Sequence, residues 1–155
     1  MIIDTSAVVA LIFDEPEAAL FRRLMAAAPA CRMSAATYVE LCAVVDGRRD
    51  PVFSSAVEHA LRVARIEIVP FTPEQARLAR EAYRSFGRGS GHAAQLNMGD
   101  CFAYALARDL GEPLLFKGQD FAVTDIELVT EPDPRRRLSE ELAAYLASKG
   151  ASAAG

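Results

Sequence analysis

The sequence has 155 residues, of which 52% are hydrophobic and 25% are charged, and its formal net charge is −4. These values are typical of one globular domain with a full-sized core, and the negative charge argues against a protein that binds long nucleic acid through many phosphate contacts. No apolar run approaches the roughly 18 to 20 residues that span a bilayer, and the first residues lack a basic signal region, so we expect a cytoplasmic protein without membrane contact.

The first part of the chain alternates short apolar runs with segments of helical periodicity. The acids and the proline of Asp14-Glu15-Pro16-Glu17 are suited to the first turn of a helix, and Asp50-Pro51 is a stop signal. In chain order, the patterns predict a strand at residues 1–4, helices at 5–13 and 14–28, a strand at 31–34, and helices at 35–48 and 52–65.

The second part continues the alternation. Thr72-Pro73-Glu74 is a helix start, Gly111 is a helix stop, and a loop rich in glycine and small residues separates two helices. The predicted elements are strands at 66–71 and 114–116, helices at 72–86, 100–110 and 138–148, and an edge strand at 126–129. Strands that alternate with helices predict an α/β fold with a parallel sheet covered on both faces.

The three cysteines are Cys31, Cys42 and Cys101. Their number is odd, and neither a CxxC motif nor a Cys/His ligand spacing is present. Buried free thiols in a reducing compartment are therefore expected.

Most of the functional information lies in four acidic residues: Asp4, Glu40, Asp100 and Asp120. Three lie where a strand ends or a helix begins, and Glu40 interrupts an apolar helix. Taken singly, each has a structural explanation: Asp4 and Asp100 as helix N-caps, Glu40 as a solvated helix position and Asp120 as a turn residue. Asp125 is a weaker fifth candidate.

A parallel sheet gathers the carboxyl ends of its strands at one edge, where function collects. If the four carboxylates meet there, their repulsion requires a cation, and Mg²⁺ or Mn²⁺ is the natural one for oxygen ligands. Metal-assisted attack on a phosphodiester is then the leading chemistry.

Three strings place these acids in a recognisable context. Residues 3–7 read IDTSA, residues 97–107 read NMGDCFAYALA, and residues 115–121 read LFKGQDF. Together, in this order, they closely resemble the PIN-domain nucleases and, within them, the VapC-type toxins of bacterial toxin–antitoxin pairs. The resemblance extends to about residue 130.

The resemblance implies a three-layer α/β/α sandwich and a metal-dependent endoribonuclease that is restrained by a cognate VapB-like antitoxin. By position, all four acids match the family's acidic site, and Asp4 and Asp100 fall where Mg²⁺ is bound most directly. Ser6 and Asn97 match the polar residues around that site, and Lys117 lies close enough in sequence to contact a phosphate. With Lys117, which is included for its nearness to the site and not by the resemblance, the predicted site residues are Asp4, Ser6, Glu40, Asn97, Asp100, Lys117 and Asp120.

The predicted organisation is a nuclease domain at residues 1–134 and a C-terminal extension at 135–155, with RNA as substrate and a homodimer as the assembly. The apolar helices at 18–27 and 52–64 offer surfaces for dimer contacts. Residues 135–137 are a basic run that either contacts RNA or is solvated.

Two alternatives stay open at this point. A phosphatase or phosphotransferase uses the same kind of sheet edge, but it usually has a second acid two residues after its nucleophilic Asp, and here Thr5 and Ser6 follow Asp4. A non-catalytic module that only binds an antitoxin is the other alternative, and the intact set of acids argues against it.

Overall fold

The computed structural model describes residues 1–131. The predicted helix at 138–148, the basic run at 135–137 and the proposed extension at 135–155 lie outside the described residues.

A parallel sheet forms the centre of the fold. Its strands are β1 (Ile2–Ile3), β2 (Cys31–Ser34), β3 (Ile66–Val69) and β4 (Leu114–Leu115). They lie in the order β3-β2-β1-β4, and all of the pairs are parallel. Ile2 stands opposite Arg32 on one side and Leu114 on the other. The predicted strand at 126–129 is reduced to a single bridge between Leu114 and Leu128.

In the part of the chain that the structure describes, six helices cover the sheet. They are α1 (Thr5–Ile12), α2 (Ala18–Ala27), α3 (Ala35–Asp46), α4 (Pro51–Val63), α5 (Pro73–Phe86) and α6 (Met98–Leu110). The prediction that α2 begins at Asp14 is wrong, because Asp14 has a φ of 48° and this left-handed backbone interrupts a helix. The predicted start of α5 is confirmed: Thr72 and Gln75 form a reciprocal capping box.

The pleat of the strands divides the core into two halves. Ile3 and Leu115 pack with α1 to α4 on one face of the sheet, whereas Ile2 and Leu114 pack with α5 and α6 on the other. Alternate side chains of a strand point to opposite faces, so each short strand supplies both halves. The three-layer α/β/α sandwich is therefore confirmed.

The expectation of free thiols is confirmed. Cys31 and Cys101 are buried, Cys42 is half-buried, and all three are free. Over residues 1–131, no helix combines the length and apolarity needed to cross a bilayer.

Gly111 ends α6 and turns the chain toward β4. Its φ is 61°, and its N–H donates to the carbonyl of Ala107. An L side chain is disfavoured in this left-handed conformation, so glycine is the residue that allows the tight exit.

We expect Gly111→Ala to lower the free energy of unfolding by about 1 kcal/mol, because a Cβ is strained at this φ. Gly111→Asn should cost less, since Asn tolerates left-handed backbone better. Urea unfolding of both variants measures the difference, and an equal loss for Ala and Asn would show that backbone strain is not the cause.

Candidate active site at the carboxyl edge of the sheet

Asp4 lies at the end of β1, the central strand, where its N–H donates to the carbonyl of Leu115 at 3.0 Å. It is also the N-cap of α1: its Oδ2 accepts from the N–H of Ser6 at 2.9 Å and from Ser6 Oγ at 2.6 Å. Its Oδ1 is buried and has no hydrogen-bond partner. The capping role considered from sequence is therefore correct, and it leaves one carboxylate oxygen unsatisfied.

Ser6 connects Asp4 to the turn that follows β4. While its Oγ donates to Asp4, it accepts from the backbone N–H of Lys117 at 2.9 Å. The ammonium of Lys117 contacts Glu15 Oε2 at 2.8 Å and Glu17 Oε2 at 3.1 Å. The Lys117 side chain is thus held at the turn between α1 and α2, and a phosphate would have to compete with two carboxylates for it.

Glu40 reaches the edge of the sheet from α3. Its Oε2 accepts from the buried hydroxyl of Thr5 at 2.7 Å. The carboxyl group lies so close to α6 that a Cβ built on Gly99 would be 1.8 Å from Oε1. Burial raises the pKa of Glu40, the hydrogen bond from Thr5 lowers it, and the charge of Asp4 raises it further.

Asp100 is the third residue of α6, and the interpretation of this acid as an N-cap is wrong. Asn97 is the N-cap, and the two residues form a capping box: Asn97 Oδ1 accepts from the Asp100 N–H at 3.0 Å, and Asp100 Oδ2 accepts from the Asn97 N–H at 2.6 Å. Burial raises the pKa of Asp100 to about 7, and the charges of Asp4, Asp120 and Glu40 act in the same direction. An acid with this pKa is half protonated near neutral pH.

Asp120 stands at the exposed side of this cluster. It follows β4 in a turn where Gly118 has a φ of 116°. Its negative charge raises the pKa of Asp4 and of Asp100, which places it within electrostatic reach of both. For Asp4 the largest cause of the raised pKa is burial.

The four acids therefore converge from β1, α3, α6 and the turn after β4. Their donor set consists of oxygens, which suits Mg²⁺ or Mn²⁺, and the unsatisfied Oδ1 of Asp4 is buried among negative charges. Within residues 1–131, however, no three Asp, Glu, His or Cys side chains stand as a ready set of ligands for one ion. Three of the carboxylates each have an oxygen that accepts from a local donor, in Ser6, Thr5 or Asn97.

Asp125 does not belong to this cluster. Its Oδ1 accepts from the hydroxyl of Tyr104 at 2.6 Å, and its Oδ2 pairs with Arg108 at 3.0 Å. These contacts fix the segment after β4 against α6, so Asp125 has a structural role.

Sequence reasoning missed three residues of the site. Thr5 was not among the predicted site residues, although its hydroxyl donates to Glu40. Gly99 has no functional group to suggest a role, but its lack of a side chain leaves the space that the Glu40 carboxyl group occupies. Thr37, one turn before Glu40, is buried, and its Oγ1 has no hydrogen-bond partner. The spacing of positions 37 and 40 was the available signal, since residues three apart share a helix face.

Comparisons with known proteins point to one family. The family model described as PIN domain matches residues 1–127. Ribonuclease VapC28 of Mycobacterium tuberculosis is 51% identical over 127 residues, which cover 82% of this chain and 96% of that protein. Ribonuclease VapC30 of the same organism is 44% identical over 132 residues, covering 85% of this chain and 100% of that protein.

Solved structures show the same fold at low sequence identity. The crystal structure of VapC20 from Mycobacterium tuberculosis, described as a sarcin-ricin loop cleaving toxin, aligns with a TM-score of 0.64 at 19% identity over 83% of this chain and 97% of that one. A toxin–antitoxin complex from Klebsiella pneumoniae aligns with a TM-score of 0.61 at 19% identity, covering 85% and 98% of the two chains.

We expect Asp100→Asn to stabilise the metal-free protein at pH 8 by about 1 to 3 kcal/mol. Because the pKa of Asp100 is raised to about 7 in the folded protein, the folded state retains a proton that the unfolded state releases. Stability is then lost as the pH rises from about 4 through 7. Asn removes this loss, so its advantage should shrink at pH 5. Urea unfolding in EDTA at both pH values measures it.

The control is Asp46→Asn, at an exposed acid at the end of α3. It should leave the pH dependence of stability as in the unmodified chain. A loss of stability in Asp100→Asn at pH 8 would show instead that the capping box outweighs the repulsion among the acids.

Proposed function

This chain belongs to the PIN-domain family, among the VapC ribonucleases, and from that premise we propose that it is an endoribonuclease toxin that depends on Mg²⁺ or Mn²⁺. The observation that carries the proposal is the unsatisfied Oδ1 of Asp4, which is buried within electrostatic reach of three further acids. A buried carboxylate oxygen without a donor is costly, and a bound cation satisfies it.

Asp4 and Asp100 are the direct ligands in this proposal, and Glu40 and Asp120 complete the set. The two direct ligands are fixed by backbone contacts: Asp4 by its place at the end of β1, and Asp100 by the capping box. Each retains one oxygen on the side away from its local donor. Ser6 and Thr5 orient Asp4 and Glu40, and Asn97 orients Asp100.

When bound, Mg²⁺ or Mn²⁺ lowers the pKa of water and offsets charge that develops on a phosphate. The chain's own acids contribute the negative field that retains the cation. Because the pKa of Asp100 is raised to about 7, its proton must leave before the carboxylate can act as a ligand. We therefore propose that cation binding strengthens from pH 6 to 8. We also propose that water, and not a ribose hydroxyl, attacks the phosphodiester, which leaves a 5′-phosphate and a 3′-hydroxyl.

The partners follow from the same premise. A VapB-like antitoxin is proposed to restrain the toxin, and a homodimer is proposed as its assembly. RNA is proposed as the substrate, and residues 1–134 are proposed as the nuclease domain.

We expect purified protein to cleave a mixed RNA pool in Mg²⁺ and not in EDTA, and Asp100→Asn to lower cleavage by at least about 100-fold, as for loss of a metal ligand. Asp125→Asn is the matched control, because this acid also contacts α6, through Tyr104 and Arg108, but does not belong to the acidic cluster. Isothermal titration with Mn²⁺ is the second measurement. Mn²⁺ binding without cleavage of RNA or of a phosphomonoester would support the antitoxin-binding module instead, and cleavage of the monoester alone would support the phosphatase.

We also expect Gly99→Ala to reduce cleavage and Mn²⁺ affinity by about tenfold or more while the free energy of unfolding changes by less than about 1 kcal/mol. The added Cβ occupies the position of the Glu40 carboxyl group, which is the flexible end of its side chain and can move at little cost. Glu40→Gln/Gly99→Ala provides the cross-check. If the two changes were additive in affinity, Gly99 would not act through Glu40.

A further inference from the structure

A pocket of about 420 Å³ lies between α5 and the start of α6. This volume falls within the roughly 300 to 1,000 Å³ that is usual for small-molecule sites. The walls are aromatic, aliphatic and basic, and among the described residues that line the pocket there is no Asp or Glu. The side chains that bring a ring, a thioether or a charge are Phe71, Arg80, Tyr83, Arg84, Met98 and Phe102.

The pocket begins within one helical turn of the acidic cluster. Met98 is the first residue of α6 and Asp100 is the third, so the helix rises only about 3 Å between them. Phe102 lies one turn after Met98 on the same side of the helix. Glu40 approaches α6 from α3, whereas α5 forms the other wall of the pocket. A chain of nucleotides whose phosphate meets the acids can therefore reach the pocket with a neighbouring base.

Aromatic rings form much of the apolar wall. Phe71 and Phe102 meet edge to face, with ring centroids 5.3 Å apart and an angle of 73° between the planes. Tyr83 is 37% exposed, and its ring lies against the backbone of Gly87, where an added Cβ would be 2.8 Å from Tyr83 Cδ2. Bases of single strands stack on such rings whatever their identity, because every base has a π face. A flat base is therefore a ligand that this wall suits.

The charge of the pocket comes from arginine. Arg80 and Arg84 lie one turn apart on α5, and within residues 1–131 neither forms an ion pair. Arg77, on the same helix, is paired with Glu74 at 2.6 Å. The whole chain has a formal net charge of −4, so two unpaired arginines beside aromatic rings are a local basic surface. Guanidinium groups bind phosphate and stack on bases, which makes RNA the matching ligand by charge as well as by shape.

We propose that this pocket binds an unpaired base of the RNA substrate, beside the phosphodiester that lies at the acidic cluster. Tyr83 and Phe102 contact the base, and Arg80 and Arg84 contact the phosphates that adjoin it. The pocket thereby selects single-stranded RNA, because a base in a duplex is stacked and paired and must first be extruded. This inference rests on the proposed nuclease function and names the form of RNA that the site takes.

The test measures binding in EDTA, so that its readouts do not depend on metal or on cleavage, and a gel verifies that the RNA stays intact. A short oligouridine with a fluorescent end label is titrated with the unmodified full chain and with Tyr83→Leu, and anisotropy reports binding. Tyr83→Phe is the matched control, because it retains the ring. Arg80→Gln is compared with Arg77→Gln, since Arg77 does not line the pocket. Urea unfolding verifies that each variant is folded.

We expect Tyr83→Leu to weaken binding by about 5- to 50-fold, as for the loss of one stacked base, and Tyr83→Phe to retain it. Arg80→Gln should weaken binding and reduce the slope of log affinity against log salt by about one, which is the signature of a lost phosphate contact. Arg77→Gln should leave both unchanged. The same oligouridine paired with oligoadenosine should bind at least severalfold more weakly than the single strand.

Photo-crosslinking shows where the base lies. An oligouridine that contains 5-iodouridine reacts on irradiation with aromatic and sulfur side chains that touch the modified base, and mass spectrometry identifies the peptide. The expected crosslinks fall on Tyr83, Met98 or Phe102. Tyr83→Leu should reduce their yield, and Tyr83→Phe should not.

Equal affinity of Tyr83→Leu and Tyr83→Phe would overturn the proposal, and so would crosslinks that fall only outside the pocket or equal binding of duplex and single strand. A change of molecular mass on sedimentation of Tyr83→Leu would overturn it in favour of a second copy as the occupant. The base pocket and the nuclease fail separately. Metal-dependent cleavage with an unaffected Tyr83→Leu overturns the pocket alone, whereas pocket-dependent binding without any cleavage in Mg²⁺ supports the pocket and contradicts the nuclease.

Discussion

The position of β1 between β2 and β4 is the constraint on which the rest of the structure depends. Ile2 pairs with both neighbouring strands and Ile3 pairs with β4, and these two residues supply both halves of the core. Asp4 follows directly, so the place of its carboxylate is fixed by the best-packed strand of the sheet. The other acids arrive from less central elements: a helix face, a helix start and a turn. The other three acids therefore meet Asp4 at the carboxyl end of β1.

Bringing these acids together lowers the free energy of unfolding, and local hydrogen bonds offset part of this loss. Ser6, Thr5 and Asn97 each donate to one carboxylate. Charge-assisted hydrogen bonds of this kind are stronger than neutral ones, but they do not neutralise the charge. Burial is the largest cause of the raised pKa values of Asp4, Glu40 and Asp100, and the charges of the neighbouring acids add to it. The acids are thus held by local hydrogen bonds, and the proposed cation would relieve the repulsion that remains among them.

Sequence reasoning predicted most of the fold because strand patterns and cap residues are local signals. It located β2 and the start of α5 well, and it predicted the four acids at one edge. It failed where the deciding fact is backbone conformation or tertiary contact. Because the backbone of Asp14 is left-handed, α2 begins at Ala18 and not at Asp14. The N-cap of α6 is Asn97 and not Asp100. Glu40 was identified by its position, but its approach to Gly99 depends on how α3 packs against α6, which no local pattern reports.

The double use of Asp4 restricts how this position can evolve. Asn would preserve the N-cap of α1 and with it the fold, while it removes the charge that the proposed cation site requires. Ala would remove both, and Glu would keep the charge on a side chain that is a poorer cap. A lineage that loses the chemistry can therefore pass through Asn without losing its shape. Among related sequences, Asn at this position would identify chains that retain the architecture as binding proteins after catalysis has been lost.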